Sequence, residues 1–324
     1  MSRLFISLFL LVATLCGCTP RQSYRQCSGA AWGTTYHITY RADRDLSDTI
    51  IATIAAVDRS LSAFNPASLL SAVNRGETCT VDSMFACVFR ESATVNRLSG
   101  GRFDPTVGPL VNLWGFGPDG NLPSPDSATV AAVLCRVGLG KTALNGDTLV
   151  CSVDSMKFDF AAIAKGYGVD CVAGALAACG ATDMMVEIGG EIRCLGLNPS
   201  GKPWRIQIDS PAAEQPGRDA LCVISPGDRS VATSGNYRNF RVRPDGSRYG
   251  HTIDPLTGYP AHRPTLSATV IAPTCLRADA LATAAMAMQP DSAIAMLRSL
   301  PEVDYILLVA RGDSTATLSS FKID

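Results

Sequence analysis

Three histidines are all that this 324-residue chain contains: His37, His251 and His262. Clustered metal-binding spacing is absent too. Of the 12 cysteines none forms a Cys-x-x-Cys pair and none stands beside a histidine at zinc spacing, which excludes a zinc finger or ribbon. Bulk charge is missing. The formal net charge is −1, so nothing pulls the chain toward nucleic acid, and no nucleic-acid partner is expected. There is no internal repeat, no low-complexity tract and no linker long enough to divide the chain. The most apolar run, 4–15, is too short for an ordinary transmembrane helix.

What is present describes a globular protein: 47% hydrophobic and 18% charged residues, ample for a sizeable core in one large domain or two ordinary ones. The N-terminus reads as a leader. Arg3 supplies a positive charge, the apolar run follows, and Leu15-Cys16-Gly17-Cys18 closes it. That ending resembles the lipobox of bacterial lipoproteins. The resemblance implies loss of residues 1–17, lipid on the Cys18 thiol, and export to a membrane surface facing the periplasm. Residues 18–30 are then a lipidated tether and 31–324 the folded domain. A plain secretory signal is the alternative. Ten cysteines remain in the body. Disulfide pairing cannot be read from their spacing, and Cys171 and Cys179 fall at apolar helical positions, as small core residues do.

Periodicity predicts strands over 34–40, 148–153, 157–160, 183–188, 191–197, 204–208, 220–224, 237–243 and 265–271, with a closing strand over 304–310. It predicts helices over 46–61, 84–98, 126–135, 164–179, 277–288 and 292–297, and a short helical turn over 68–73. Asp245-Gly246 is a hairpin signal. Strands and helices mix without strict alternation, so the expected class is α+β, one large domain of antiparallel or mixed sheets with helices, and not a doubly wound fold.

Turn-rich polar clusters punctuate this pattern. In chain order, WGTTYHITY, SLSAFNPASLLSAVN, GRFDPTVGPLVNLWGFG, FDFAAIAKGYGVD, EIGGEIRCLG, ATSGNYRNF, HTIDPLTGYP and ADALATAAM span about 32 to 288. Together they resemble the ApbE family, the FAD:protein FMN transferases. The resemblance implies a magnesium-dependent reaction in which FAD is cleaved at its pyrophosphate. FMN is joined by a phosphoester to a threonine or serine of an acceptor protein, and AMP leaves. Some members hydrolyse FAD to FMN and AMP instead, and a non-catalytic flavin-binding lipoprotein is a third reading.

Residue by residue, the resemblance implies FAD contacts at Trp32, Phe64, Arg102, Phe103, Asp104, Asp159, Lys165 and Ile253. Three of these depart from the common pattern: Trp32 stands where methionine is frequent, Phe64 where tyrosine is, and Arg102 where alanine is. Phe103 also reads as core. Lys165, in the first turn of a predicted helix, opposes the helix dipole, which points to an anionic partner. For the cation, Asp279 and Thr283 are four apart on a predicted helix and share a face. Resemblance adds backbone carbonyls of Ala162 and Ala282. The competing reading makes Asp279 a helix cap and Thr283 a partner of the preceding turn. His251 is the candidate general base, since an imidazole titrates near neutral pH, with Asp254 orienting it or the cation's waters. Alternatively, His251 positions a phosphate or is a satisfied turn residue. Thr233 and Ser234, before Gly235, read either as a backbone cradle for pyrophosphate or as a strand end.

Overall fold

Strands β1 (Ser23–Ala31) and β2 (Thr34–Ala42) pair antiparallel along their whole length, joined by the two-residue turn Trp32-Gly33. The computed structural model describes residues 22–119, 125–210, 220–235, 240–242, 248–312 and 314–323. β2 alternates as its sequence does, burying Tyr36, Ile38, Tyr40 and Ala42. β1 corrects the tether expected over 18–30. From Ser23 onward the chain is sheet, although SYRQCSGAA has no alternating apolar pattern; its register on β2 makes it a strand. The expected leader and Cys18 lie outside the described residues.

Next come α1 (Ser47–Leu61), α2 (Leu69–Asn74), α3 (Ser83–Leu98), α4 (Gly108–Leu113) and α5 (Ser127–Leu134). The apolar stripe of α1 is buried as expected, through Ile50, Ile54, Val57 and Leu61. Ser68, Asp82 and Asp126 cap α2, α3 and α5, each accepting a backbone N–H of the first turn. β3 (Thr142–Asn145) and β4 (Thr148–Cys151) form a hairpin. The strand expected over 157–160 is not formed; that segment makes a single bridge, Lys157 to Val107.

Beyond it lie α6 (Ala164–Ala178), β5 (Met184–Ile188), β6 (Glu191–Leu195), β7 (Ile206–Asp209), β8 (Ala220–Ile224), β9 (Ser230–Gly235), β10 (Phe240–Val242), β11 (Arg248–Gly250) and β12 (Thr265–Ala272). The chain ends in α7 (Cys275–Ala287), α8 (Pro290–Arg298), β13 (Asp304–Arg311) and β14 (Ser314–Ser319). The hairpin signal Asp245-Gly246 falls outside the described residues, and β10 and β11 on either side of it pair antiparallel.

One eight-stranded antiparallel sheet, ordered β1-β2-β5-β6-β9-β12-β13-β14, organises the molecule. Its central strands are buried on both faces. On β12, Ala268, Val270 and Ala272 join the core beneath α3 and α7, while Ile271 joins a second cluster under the β7–β8 hairpin. Where α6 crosses α7, a Cβ on Gly166 would come within 2.3 Å of the Cys275 carbonyl oxygen, so only glycine permits the crossing. This close approach brings Lys165 and Asp279 together. No helix among the described residues is long and apolar enough to cross a membrane.

Candidate functional site

β6 meets β9 in two pairs only, Ile192 with Val231 and Arg193 with Ser230. β6 then turns back into β5 through Gly189-Gly190, while β9 runs on along β12 to Gly235. A cavity of about 840 Å³ opens where the two strands part. Its wall includes Phe64, Arg102, Phe103, Asp104, Asp159, Ala162, Lys165, Thr233, Ser234, His251, Ile253, Asp279 and Thr283. Thirteen of the expected site residues, drawn from segments far apart in sequence, thus share one space, within the size range of small-molecule sites.

Asp279 is 2% exposed. It does not cap its own helix: Thr274 accepts the Arg277 N–H, and Asp170 accepts those of Cys275 and Leu276. Instead its Oδ2 accepts the N–H of Gly166, in the first turn of α6, at 2.9 Å. Its Oδ1 makes no hydrogen bond among the described residues. Thr283, one turn along α7, meets the Ser234 hydroxyl at 3.1 Å. The Ala162 carbonyl, just ahead of α6, accepts no backbone hydrogen bond among the described residues. Ala282 does not belong to this group. It is fully buried, and a carbonyl in mid-helix is committed to the N–H four residues on. The donor set is therefore hard oxygen only, with one carboxylate, and no group of three His, Cys, Asp or Glu able to hold a metal ion occurs among the described residues. This fits Mg²⁺, which takes few protein ligands and fills its shell with phosphate and water. It does not fit zinc.

Lys165 Nζ lies 2.6 Å from Glu191 Oε1 and 3.9 Å from Asp279 Oδ2. Burial alone would lower the lysine pKa, but Asp279 and Glu191 overcome it and hold the ammonium well above its usual range. Burial pushes the Glu191 carboxyl up to about 7 against the pull of Lys165, and the charge of Asp279 adds to the rise. A fixed cation thus faces the cavity, beside a carboxyl that burial holds above the usual carboxylate range. Glu191, together with Glu187 whose Oε1 accepts the Gly190 N–H, is what sequence reasoning missed. Two carboxylates flanking a Gly-Gly break were the available signal.

Other expectations are corrected. Trp32 is not on the cavity wall; its indole packs against Gly168 of α6, where a Cβ would come within 2.1 Å of the ring. Asp254 is not on the wall either, and orients neither His251 nor a cation's water. Its Oδ2 is shared by Arg102 and by Arg263 at 2.7 Å, and its Oδ1 accepts the Leu256 N–H. Arg102 therefore acts through its guanidinium, which pins the 99–106 loop to the 250–260 segment. Asp104 lines the cavity, but its carboxylate is spent on Thr106, Leu139 and Asn96. Asp159 closes a turn onto the Ala161 N–H. Thr233 and Ser234 belong to β9, not to a turn. From Thr233 on, however, the β6-facing edge of β9 has no strand partner among the described residues, so backbone groups there face the cavity region.

The segment carrying His251 is stiff. Asp254 N–H donates to Tyr259 O, Ala261 N–H to Thr252 O and Gly258 N–H to Asp254 O, each at 2.8 or 2.9 Å. Trp114 Nε1 donates to Gly258 O at 2.8 Å, and the Phe116 ring meets the His251 imidazole edge-on at 6.3 Å between centroids. Ile253 is buried beside Leu110 and Trp114 and also reaches the wall.

The model of the ApbE family matches residues 32–307. The FAD:protein FMN transferase of Vibrio cholerae is 37% identical over 322 residues, covering 95% of each chain. That of Escherichia coli K12 is 32% identical over 291 residues, covering 87% of this chain and 82% of its own. The solved structure of the V. cholerae flavin transferase superposes with a TM-score of 0.84 at 36% identity, covering 92% of this chain and 97% of the other.

Proposed function

This chain belongs to the ApbE family, and from that premise we propose that it transfers FMN from FAD to an acceptor protein. The observation that carries the reading is the convergence of Lys165, Asp279, Thr283 and His251 on one cavity. We further propose that the acceptor group is a threonine or serine hydroxyl and that AMP is the leaving group. The hydroxyl oxygen attacks the FMN phosphorus, the P–O bond to the AMP phosphate breaks, and AMP departs with the bond's electron pair. His251 takes the hydroxyl proton. Mg²⁺, held by Asp279, Thr283 and the Ala162 carbonyl, would neutralise charge on the pyrophosphate oxygens. The Lys165 ammonium adds fixed positive charge on the same wall. The hydrogen-bonded 252–261 segment limits where the imidazole can travel, which lowers the entropic cost of meeting the hydroxyl.

Incubation with FAD and Mg²⁺, with and without an acceptor protein, tests this. Transfer gives AMP only with acceptor, together with a fluorescent acceptor band. Release of AMP without acceptor makes the protein an FAD pyrophosphatase, and intact FAD throughout removes both enzymatic readings. His251→Ala is expected to lower the transfer rate roughly 10²–10⁴-fold with FAD affinity and melting temperature retained. Parallel loss of FAD affinity would make His251 a phosphate holder instead. The reading of Cys18 as a lipid anchor is likewise a proposal, supported by the leader pattern. Metabolic palmitate labelling is expected in the wild-type chain and absent in Cys18→Ser; equal labelling of both would end it.

A further inference from the structure

The main sheet loses a strand beside the cavity. β6 covers one edge of β9 only as far as Val231, which stands opposite Ile192. Just before that pair, the Cys194 N–H donates to the Arg229 carbonyl at 3.1 Å. Alternate residues of a strand present their N–H and C=O to the same edge, so Arg229 and Val231 are followed on that edge by Thr233 and Gly235. β6 does not reach them, because the chain turns at Gly189-Gly190 between β5 and β6. On the other edge β12 continues, with Thr269, Ala268 and Ser267 opposite Thr233, Ser234 and Gly235. The N–H and C=O groups of Thr233 and Gly235 therefore face the β6 side with no strand partner among the described residues, and both residues line the cavity.

The two faces of this edge differ. Ser234 turns its hydroxyl toward Thr283 of α7, at 3.1 Å, and Asp279 stands one turn earlier on that helix. Thr233 turns the other way and meets the Thr269 hydroxyl at 2.8 Å. Residues directly opposite each other in an antiparallel pair point their side chains to the same face. A residue opposite Ser234 would thus aim its side chain at α7 and the oxygen donors of Asp279 and Thr283.

The acceptor hydroxyl has to come to this place. A serine or threonine carries it on Cβ, so backbone enters the cavity with it, and entering backbone needs partners for its own N–H and C=O groups. The edge of β9 offers them. Each pairing in the main sheet is antiparallel. We infer that an extended segment of the acceptor protein adds antiparallel to β9 and continues the line of β6, with the residue to be modified opposite Ser234. Its two neighbours in the chain exchange main-chain hydrogen bonds with Thr233 and Gly235, and their side chains point to the face that carries Val231 and Ile192. Strand addition of this kind takes affinity from main-chain bonds and specificity from alternate side chains. The inference rests on the proposed transfer of FMN to a protein.

Mass spectrometry of the fluorescent acceptor band locates the modified residue, and short synthetic peptides centred on it are the probe, with the wild-type protein, FAD and Mg²⁺. Backbone N-methylation removes one N–H at a time. Methylation of either neighbour is expected to lower kcat/KM for flavinylation about tenfold, as loss of a buried main-chain hydrogen bond does. Methylation of the central residue, whose N–H points away from β9, should cost less than about twofold. Equal loss at all three positions, or no loss at any, overturns the inference. So does an unmodified peptide that stays unlabelled while the whole acceptor is labelled. In the protein, Thr233→Pro removes an N–H that β12 does not use, as an edge proline can. It is expected to raise KM for the acceptor about tenfold, with FAD affinity by calorimetry retained. Loss of FAD affinity instead would give this edge to FAD and overturn the inference. No transfer to any acceptor by the wild type removes the proposed function and the inference together, whereas the other failures leave the proposed function standing.

Discussion

Asp279→Ala is expected to abolish metal-dependent turnover, by at least about a thousandfold, measured as AMP release or acceptor flavinylation. Two losses combine. The one carboxylate in the oxygen donor set disappears, and with it the means of fixing a cation against the departing phosphate, worth several kcal/mol in a site of this kind. The Gly166 N–H also loses its acceptor at a helix terminus buried against α7, at about 1–3 kcal/mol. Asp279→Asn separates the two. It leaves an oxygen for Gly166 and removes the charge, so the fold should survive while turnover falls as far as in the alanine variant. Activity within tenfold of wild type in Asp279→Asn would take Asp279 out of the cation site.

Asp254→Ala should show the opposite balance, a large loss of stability with any loss of rate following from it. Arg102 and Arg263 converge on one carboxylate that is 2% exposed. Removing it strands the Arg102 guanidinium and leaves Arg263 only the carbonyls of Ala287 and His262. Breaking a buried pair costs about 3–5 kcal/mol, and the low end applies because the arginine side chains are 31% and 18% exposed. That corresponds to a fall of roughly 5 °C in Tm for a domain of this size, readable by calorimetry. His251→Ala, in contrast, should leave Tm in place. Equal melting of wild type and Asp254→Ala would restore the orienting role that the sequence suggested for Asp254.

The sequence was most legible where a physical period or a chemical spacing is local. The stripe Ile50, Ile54, Val57 and Leu61 forms the buried face of α1, the alternation of TTYHITY is β2, and the pairing of Asp279 with Thr283 is a matter of one helical turn. It was least legible where a partner decides. β1 lacks any apolar alternation and exists because β2 offers an edge. The strand suggested over 157–160 has apolar residues, yet Phe158 and Phe160 serve the core beside Phe85 from a loop. Asp254 looked catalytic because it stands three residues from His251, but its carboxylate is claimed by Arg102, 152 residues away. Glu191 is illegible in the sequence for the converse reason. Nothing near it in sequence shows that Lys165 will lie 2.6 Å from it across the α6–β6 contact.

The β1–β2 hairpin also sets a distance. β1 is nine residues long, about 30 Å at the rise of a strand. Its first residue follows Cys18 by only five positions, and its far end leads through Trp32 to Gly33 and Thr34 on the cavity wall. With lipid on Cys18 as proposed, β1 would be a mast with the cavity at its head and its foot a few residues from the anchor. Its length limits how far from the headgroups the cavity can stand, and so how far into the aqueous phase an acceptor may carry its hydroxyl and still be served.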